Sequence, residues 1–594
     1  MKAFQLFKHQ NTHFWHHWWQ YGKVVLTIEL LIGLICVPVL NLLANTILNL
    51  GRVKYVSYTN LGQLLKQQPW VILALLVILG LILALVFTQF TLLLLGFYHV
   101  RHRQTVTFGT EMKMAVSQIR QLPISAIGFF SLYFLIILPF SQIGFTSQLL
   151  SKVKIPRFIL DWLISEHPML AGLVAILYLL ILYLGLRWLF VLPLMILEQQ
   201  PIRQAMRLSW AKTAHRSWGY ARYIMTVGLA VLVVVGLSFG GLLAIQSGLD
   251  HYWHAGALSG AIINLSLTQV ISVLASIYGT SMIALLMLSE VEQQSPNFAI
   301  ANRGHYRLKQ GLWVGFFVIT GFLFVGYSVL YFQGFLAQQP MTISHRGVDN
   351  GNGVQNSISA LQRTAREKPD YVEMDVQETK DHQFVVLHDE NLKHLAGIDQ
   401  SPSDLTLAQL QKITVHENGY SAKIVSFDDY YRAARQAHQK LLIEFKKTPA
   451  MTKGFVKRFA TQYGSTIRKN GDLVHSLEYT LIQQSRRDMP KVGASYILSF
   501  NLVGVPKTTA NYFTMEYTTL NDTFIDNVHA QHKKVLAWTV NDADDMDQLM
   551  LKNVDGIITD QLGTLNTEIK ANFKPNTYTM RLLNYMIDMP ASQI

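Results

Sequence analysis

The chain runs to 594 residues with 50 Lys and Arg against 37 Asp and Glu, a formal net charge of +13, and is too long for one ordinary domain. That charge is unevenly spread, because residues 1–339 carry 22 Lys and Arg against 8 Asp and Glu while residues 340–594 carry 28 against 29. The basic excess lies between long apolar runs, which points to anionic lipid headgroups rather than nucleic acid, and the single cysteine, Cys36, excludes an internal disulfide and a Cys-based zinc site.

Apolar runs long enough to cross a bilayer core, about 20 helical residues each, lie at roughly 24–48, 71–100, 124–145, 169–198, 224–247, 259–289 and 311–334. This predicts a polytopic all-α membrane domain of about seven transmembrane helices over residues 1–335. The first run is too long for a signal-peptide core and lacks a small-residue cleavage site, so it is expected to stay as an anchor. With the N-terminus in the cytoplasm, 15 Lys and Arg fall in inner loops and six, Arg52, Lys54, Lys66, Lys152, Lys154 and Arg157, in outer ones. The bias fits the preference of basic residues for the cytoplasmic side. Seven crossings from that start place everything after residue 335 outside, as an extracellular part of a multi-pass cell-membrane protein.

Two ionisable residues fall inside these runs, Glu29 and Arg187. Glu29, near the inner end, is expected to snorkel. Arg187 lies deeper and is expected to face the bundle interior and hold a phosphate or Glu29. Residues 201–223 mix Ile202, Met206, Leu208, Trp210 and Trp218 with basic residues, the pattern of an interfacial amphipathic helix.

After Pro340 short β-rich runs alternate with amphipathic helical stretches, the pattern of a parallel sheet with helical crossovers. Eight strands are predicted at 342–345, 371–376, 441–445, 473–477, 491–497, 512–516, 535–540 and 555–559. A ninth run at 384–388 follows too closely for a parallel crossover and is expected to fold back as an antiparallel hairpin. Eight parallel strands in about 220 residues fit an α/β (β/α)8 TIM barrel over 340–565, with a C-terminal extension at 566–594 and an active site at the strand carboxyl ends.

Polar residues gather at those ends: His345 and Arg346 after the first strand, Glu373 and Asp375 on the second, His388 and Asp389 after the hairpin, Glu444 and Lys446 on the third, and Glu516 on the sixth. Glu373 and Asp375, two apart in a strand, share one face and can grip one cation, with Glu444 as a third oxygen donor. All-oxygen ligation suits Mg2+ or Ca2+ rather than zinc. Two histidines beside such a cluster offer a general acid and a general base.

The runs HRG at 345–347, VEMDVQETKD at 372–381, VVLHD at 385–389, IEFK at 443–446, WTVN at 538–541 and DGIITD at 555–560 resemble, in order and spacing, the glycerophosphodiester phosphodiesterase family. The resemblance covers roughly residues 342–565, and the seven-span segment resembles the membrane domain attached to some bacterial members. It implies metal-dependent hydrolysis of glycerophosphodiesters to glycerol phosphate and an alcohol. His345 and His388 would be the acid and base, Glu373, Asp375 and Glu444 the ligands of one divalent cation, Ca2+ or Mg2+, Arg346 and Lys446 the phosphate-binding cations, and Trp538 an aromatic wall beside the glycerol. Departures from the family pattern are Gln355-Asn356-Ser357, where relatives carry a Glu-Asn-Thr-like triplet, and His394-Leu395-Ala396 in place of an Arg-Thr-Thr-like turn. Two rival readings are lipase-D-like cleavage of lysophospholipids or glycerophosphate polymers, and a lipid-handling or transport protein with a non-catalytic barrel. The partners implied are a glycerophosphodiester or lysophospholipid substrate and membrane lipids; the sequence does not read out an oligomeric state. Because the first strand follows the last span by about ten residues, the site is expected close to the membrane surface.

Overall fold

The computed structural model describes all residues except 1–2, 57–59, 105, 121, 123–125, 138–148, 150–155, 292–309, 335–337, 502, 574–576 and 589–594. Its N-terminal part is helical: α1 (Ala3–Leu31), α2 (Val37–Leu50), α3 (Leu61–Gln67), α4 (Pro69–Arg101), α5 (Phe108–Arg120), α6 (Ala126–Ile137), α7 (Arg157–Glu166), α8 (Pro168–Arg187), α9 (Val191–Leu197), α10 (Ile202–Thr213), α11 (Ser217–Tyr252), α12 (His254–Val291) and α13 (Gln310–Phe332). Among the described residues six helical segments are long and apolar enough to cross a membrane. The seventh expected span, 124–145, lies partly outside the described residues; its described portion is α6. Of the Lys and Arg residues that set the expected orientation, Lys2, Lys152, Lys154, Arg303, Arg307 and Lys309 also lie outside them.

The first helix kinks at His17, and the span beyond it carries a widened turn. A π-turn at Ile32–Cys36 joins α1 to α2, with the Val37 N–H donating to the Ile32 carbonyl. Pro38 follows, and its missing N–H is what an ordinary α-turn at this point would require. The helices pack around a core in which Tyr21, Phe97, Phe190 and Tyr223 are fully buried, while their lipid-facing sides keep residues such as Leu76, Val77, Leu232 and Leu237 exposed. An apolar surface of this extent is stable only in a bilayer.

Among its described residues the second half contains twelve strands: β1 (Met341–Ser344), β2 (Tyr371–Glu378), β3 (Phe384–Val386), β4 (Thr414–Glu417), β5 (Tyr420–Lys423), β6 (Val425–Ser426), β7 (Leu441–Phe445), β8 (Leu473–Ser476), β9 (Gly493–Leu498), β10 (Tyr512–Glu516), β11 (Lys534–Trp538) and β12 (Gly556–Thr559). Eight of them run parallel in the order β1-β2-β7-β8-β9-β10-β11-β12 and close where β12 pairs with β1. These are the eight expected strands. The run at 384–388 does fold back, with Val376 opposite Val386 in antiparallel register, whereas the small β4–β5 hairpin has no counterpart in the sequence reading.

The pleat organises the barrel interior. Ile343, Leu442, Leu473, Leu536 and Ile558 form an apolar layer inside it. Because a strand returns to the same face every second residue, each is followed on that face by a polar or aromatic residue nearer the mouth: His345, Glu444, His475, Trp538 and Asp560.

The rim of the mouth rests on the membrane domain. Beyond β9, the Lys507 N–H donates to the Lys54 carbonyl at 2.8 Å and its ammonium to Asn49 at 2.6 Å, and Tyr55 packs edge-on against Tyr479 and Tyr496. The C-terminal helix Tyr578–Asp588 returns to the membrane helices: Thr579 donates through its N–H and hydroxyl to Asp250, both at 2.7 Å, and Arg581 donates to the carbonyls of Tyr331 and Phe332. Residues 49–55, 250 and 331–332 therefore lie at one end of the bundle. Contacts at the other end, His99 with Glu111, Gln118 with the Ile196 carbonyl, and Lys212 with the Glu290 carbonyl, come from the alternate connections. Arg581 also lies over the rings of Tyr331 and Phe332. Arg581→Leu leaves two carbonyls at the end of α13 unpaired, and we expect it to cost about 1–3 kcal/mol, read as a lower unfolding temperature of the full chain in detergent.

Candidate active site

The turn after β1 brings the first group into place. Arg346 and Gly347 adopt φ values of 51° and 69°, consecutive left-handed residues of which only the glycine is at ease. A Cβ on Gly347 would also stand 2.9 Å from the Tyr430 hydroxyl. This turn points the Arg346 N–H at Glu373 Oε2, 2.8 Å away, and holds its guanidinium over the mouth, with Nε 3.8 Å from Asp375.

Five expected residues converge here. Glu373, Asp375 and Glu444 are buried. Lys446 reaches Glu444 Oε1 at 2.9 Å and Asp375 Oδ1 at 3.3 Å, and Arg346 completes the set. Burial works against the Lys446 charge, but Glu444 and then Asp375 more than offset it and its pKa is raised. Burial likewise works against the Asp375 charge, and Lys446, His388 and Arg346 outweigh it, so its carboxyl sits well below the usual range. Asp375 is further fixed by Asn356, which donates from its amide at 2.8 Å and accepts the Asp375 N–H at 3.1 Å.

The sequence reading missed His475. It stands beside Glu444 in register on β8, 2% exposed, its Nε2 3.5 Å from Glu373 Oε1, and neither ring nitrogen has a hydrogen-bond partner among the described residues. Glu373, Glu444 and His475 offer ligand atoms that all lie within 4.8 Å of one another. Two buried carboxylates and an orphaned imidazole fit a divalent cation, so the best-gathered donor set is not the all-oxygen one. Asp375 stands next to it, engaged by Asn356 and Lys446. The available signal was the His in LVHS, two residues beyond an apolar strand residue at the position where the other site residues fall.

His345 Nδ1 pairs with Asp560 Oδ1 at 2.8 Å, and Asp560 is held in turn by Asn541 through two bonds of 2.8 and 2.9 Å. Asp560, the last residue of DGIITD, was not among the expected site residues although the motif contained it. Burial disfavours a charged His345, but the Asp560 carboxylate outweighs it and the imidazole is held above its ordinary value. His388 Nδ1 pairs with Asp389 Oδ1 at 2.8 Å. The loop carrying both is fixed by Gln377, whose amide nitrogen donates to the carbonyls of Leu387, His388 and Asp389. Burial, then Lys446 and Arg346, push His388 down to about 4.

The departures from the family pattern also have places here. Gln355 accepts from Arg346 Nη1 at 2.6 Å and donates twice to Glu417 of β4, at 2.7 and 2.9 Å, so the carboxylate absent at 355 is supplied one bond further out. His394 Nδ1 stands 3.8 Å from Asp389 Oδ2.

Two expected residues lie elsewhere. Glu516 is buried at the rim and accepts from Thr518, from the Thr519 N–H and from the Arg157 N–H of α7; it caps a turn and docks the membrane domain. Arg187 is buried at the end of α8, donates to the Trp210 carbonyl at 2.8 Å and lies 4.3 Å over the Trp210 ring. The expectation that it holds Glu29 fails, because Glu29 instead accepts from Gln89 at 3.2 Å; Arg187 joins α8 to α10. Trp538 lines the mouth, its indole N–H without a hydrogen-bond partner among the described residues, and Phe158 of α7 stacks on it at 5.8 Å.

Fold and site together define an enzyme of the (β/α)8 class, held on a membrane domain. One family description, the membrane domain of glycerophosphoryl diester phosphodiesterase, matches residues 7–326; a second, the glycerophosphoryl diester phosphodiesterase family, matches residues 345–564. The chain belongs to this family and is a phosphodiesterase. It is similar to the Bacillus subtilis protein YhdW, provisionally named a glycerophosphodiester phosphodiesterase, at 29% identity over 228 residues covering 37% of this chain and 93% of YhdW. A human lysophospholipase D is 38% identical over 101 residues, 16% of this chain and 31% of that protein. Among solved structures, an Oleispira antarctica phosphodiesterase in complex with the product sn-glycerol-3-phosphate aligns at 19% identity and a TM-score of 0.35, covering 40% of this chain and 98% of that one.

If His475 joins Glu373 and Glu444 around a cation, His475→Ala should weaken divalent-cation binding by at least about 10–100-fold, the loss that follows removal of a group that merely orients a ligand. Isothermal titration of the full chain, stripped of metal in detergent, reads that change directly.

Proposed function

We propose that the barrel hydrolyses glycerophosphodiesters with the help of one divalent cation, at the outer face of the cell membrane. The observation that carries the reading is the buried Glu373, Glu444 and His475 group beneath two cations, Arg346 and Lys446, with a histidine–carboxylate pair on either side. The division we assign is 1–335 for the membrane domain, 340–565 for the barrel and 566–594 for the extension.

Glu373 and Glu444, with Asp375 and His475 beside them, would hold the cation, Mg2+ or Ca2+, which when bound supplies charge stabilisation at the phosphoryl oxygens. Arg346 can grip two phosphate oxygens at once, while Lys446 acts as a point charge. His388, held neutral by its surroundings, takes the proton of the attacking hydroxyl. His345, whose protonated form Asp560 favours, gives a proton to the departing alkoxide. Trp538 forms the wall beside the glycerol.

His345→Ala should lower turnover by about 10²–10⁴-fold without unfolding the chain, and chelation should stop hydrolysis until the cation is restored; unchanged rates in either case rule out the assignment. Asp560→Asn removes the charge that raises His345. The rate of the parent enzyme falls as pH rises through the raised pKa of the acid, so in this variant the alkaline limb of the pH–rate profile should move to lower pH.

Support for the outer location comes from parity. The connections after the first and fifth spans and the end of the last all lie on the barrel's side of the bundle, as an odd number of crossings from a cytoplasmic N-terminus demands, and the basic loops lie at the other end. In a Cys36→Ser background, Lys412→Cys should react with a membrane-impermeant maleimide on intact cells and Lys113→Cys should not. The reverse pattern would invert the topology.

A further inference from the structure

We propose that α7 is part of the substrate site, a track for the apolar chain of a lipid-linked glycerophosphodiester that leads from the barrel mouth to the membrane span α8. This deepens the function proposed above and rests on it. Three observations carry it.

The first is that α7 is anchored to the mouth. The Arg157 N–H donates to Glu516 Oε1 at 2.9 Å, and Glu516 is 1% exposed and stands at the end of β10 in register with Trp538. This bond ties the start of a membrane-domain helix to the strand next to the glycerol wall. The second is that Phe158 lies 5.8 Å from Trp538 with an interplanar angle of 26°, which extends the wall by a second ring from the other domain.

The third is the face that follows. Phe158, Ile159 and Trp162 lie within an arc of about 100° on the helix, the width of one apolar face, and are 40%, 40% and 50% exposed, while Leu163 at the edge of that arc is 8% exposed and Ile164 beyond it is 64% exposed. Trp162 packs edge-on against His167 at 4.5 Å, and Pro168 begins α8, a span whose surface is apolar along its length. The apolar residues thus run from the residue proposed to flank the glycerol to Trp162, within two helical turns of the start of the span that lies in lipid. A headgroup bound at Arg346 and Lys446 with its chain along these residues keeps that chain on apolar surface for most of its way to the bilayer. Phe158 meets Trp538 at one end and Trp162 meets His167 at the other, and the apolar side between these contacts stays exposed; an acyl chain is the occupant its chemistry and both of its ends specify.

The test uses the full chain in lipid nanodiscs with added Mg2+, and compares kcat/KM for glycerophosphocholine with that for 1-acyl-lysophosphatidylcholines of rising chain length. For the unaltered protein the ratio of long-chain to soluble substrate should rise with chain length. Phe158→Ala and Trp162→Ala should each lower that ratio about tenfold, the equivalent of about 1.4 kcal/mol, and Phe158→Leu, which keeps apolar bulk, should restore most of it. An equal loss on both substrates would reduce α7 to a structural brace, and no change on either would reduce its face to a bilayer contact; both outcomes overturn the proposal while leaving the hydrolase reading intact. Hydrolysis of neither substrate by the unaltered protein would instead overturn the function on which it rests.

Discussion

The period of two along a β-strand is the constraint on which the rest of the barrel depends. Five strands place an apolar residue inside the barrel and, two residues on, a residue at the mouth: Ile343 then His345, Leu442 then Glu444, Leu473 then His475, Leu536 then Trp538, Ile558 then Asp560. The apolar layer excludes water from below, and the groups above it consequently stand in a medium where charges act strongly on one another. On β2 the same period puts Glu373 and Asp375 on one face, over Tyr371. A one-residue slip of any of these strands would bury its chemistry in the outer layer, among the helices, and expose nothing to substrate.

Carboxylates gathered in such a place must be neutralised, and the barrel does this in two ways. Lys446 bridges Glu444 and Asp375, and Arg346 offers its backbone N–H to Glu373 and its side chain to Asp375. The donor set of Glu373, Glu444 and His475 shares these two residues with Asp375 and leaves both ring nitrogens of His475 without a hydrogen-bond partner among the described residues. Breaking a buried charge pair by removing one partner is costlier than never having built it, so the cations and carboxylates of this mouth constrain one another's identity. The same cations push His388 towards its neutral form while Asp560 holds His345 towards its charged form. Two imidazoles that are equivalent in sequence become different acids because their neighbours differ.

How much of this was legible from the residues depended on whether the signal was local. All eight strands could be read from short apolar runs, because a parallel strand buried on both faces needs little beyond its own composition to be recognised. His345, Glu373, Asp375, His388 and Glu444 announced themselves by standing at strand ends in pairs or motifs. His475 did not, since its significance comes from lying beside Glu444 on the next strand, a register that no single segment reveals. Asp560 was hidden in the same manner, 215 positions from the histidine it orients. Glu516 and Arg187 were read from position alone, the one at a strand carboxyl end and the other as a charge inside an apolar run, and whether such a residue caps a turn or joins two helices is decided by partners distant in sequence, Arg157 for the one and Trp210 for the other. Glu417, reached through Gln355, came from a hairpin with too few apolar residues to be read at all.

The contacts between the two halves bear on why a barrel of this kind would sit on many spans rather than one. A single helix would tether the barrel and leave its mouth free to face any direction. Here the rim is held by Asn49, Lys54 and Tyr55 on one connection and by Arg157 and Phe158 on another, and the chain's own C-terminal helix returns to pack against α11, α12 and α13. Fixing a rigid body at three separated places removes its rotational freedom, and the entropy for that is spent in folding rather than at each encounter with substrate. The gain is largest for a substrate that is itself oriented, with its headgroup at the interface and its chain in the bilayer. For a soluble diester tumbling in water the same fixed mouth gives no orientational advantage. The contacts at these three places tie the orientation of the mouth to the spans that carry them.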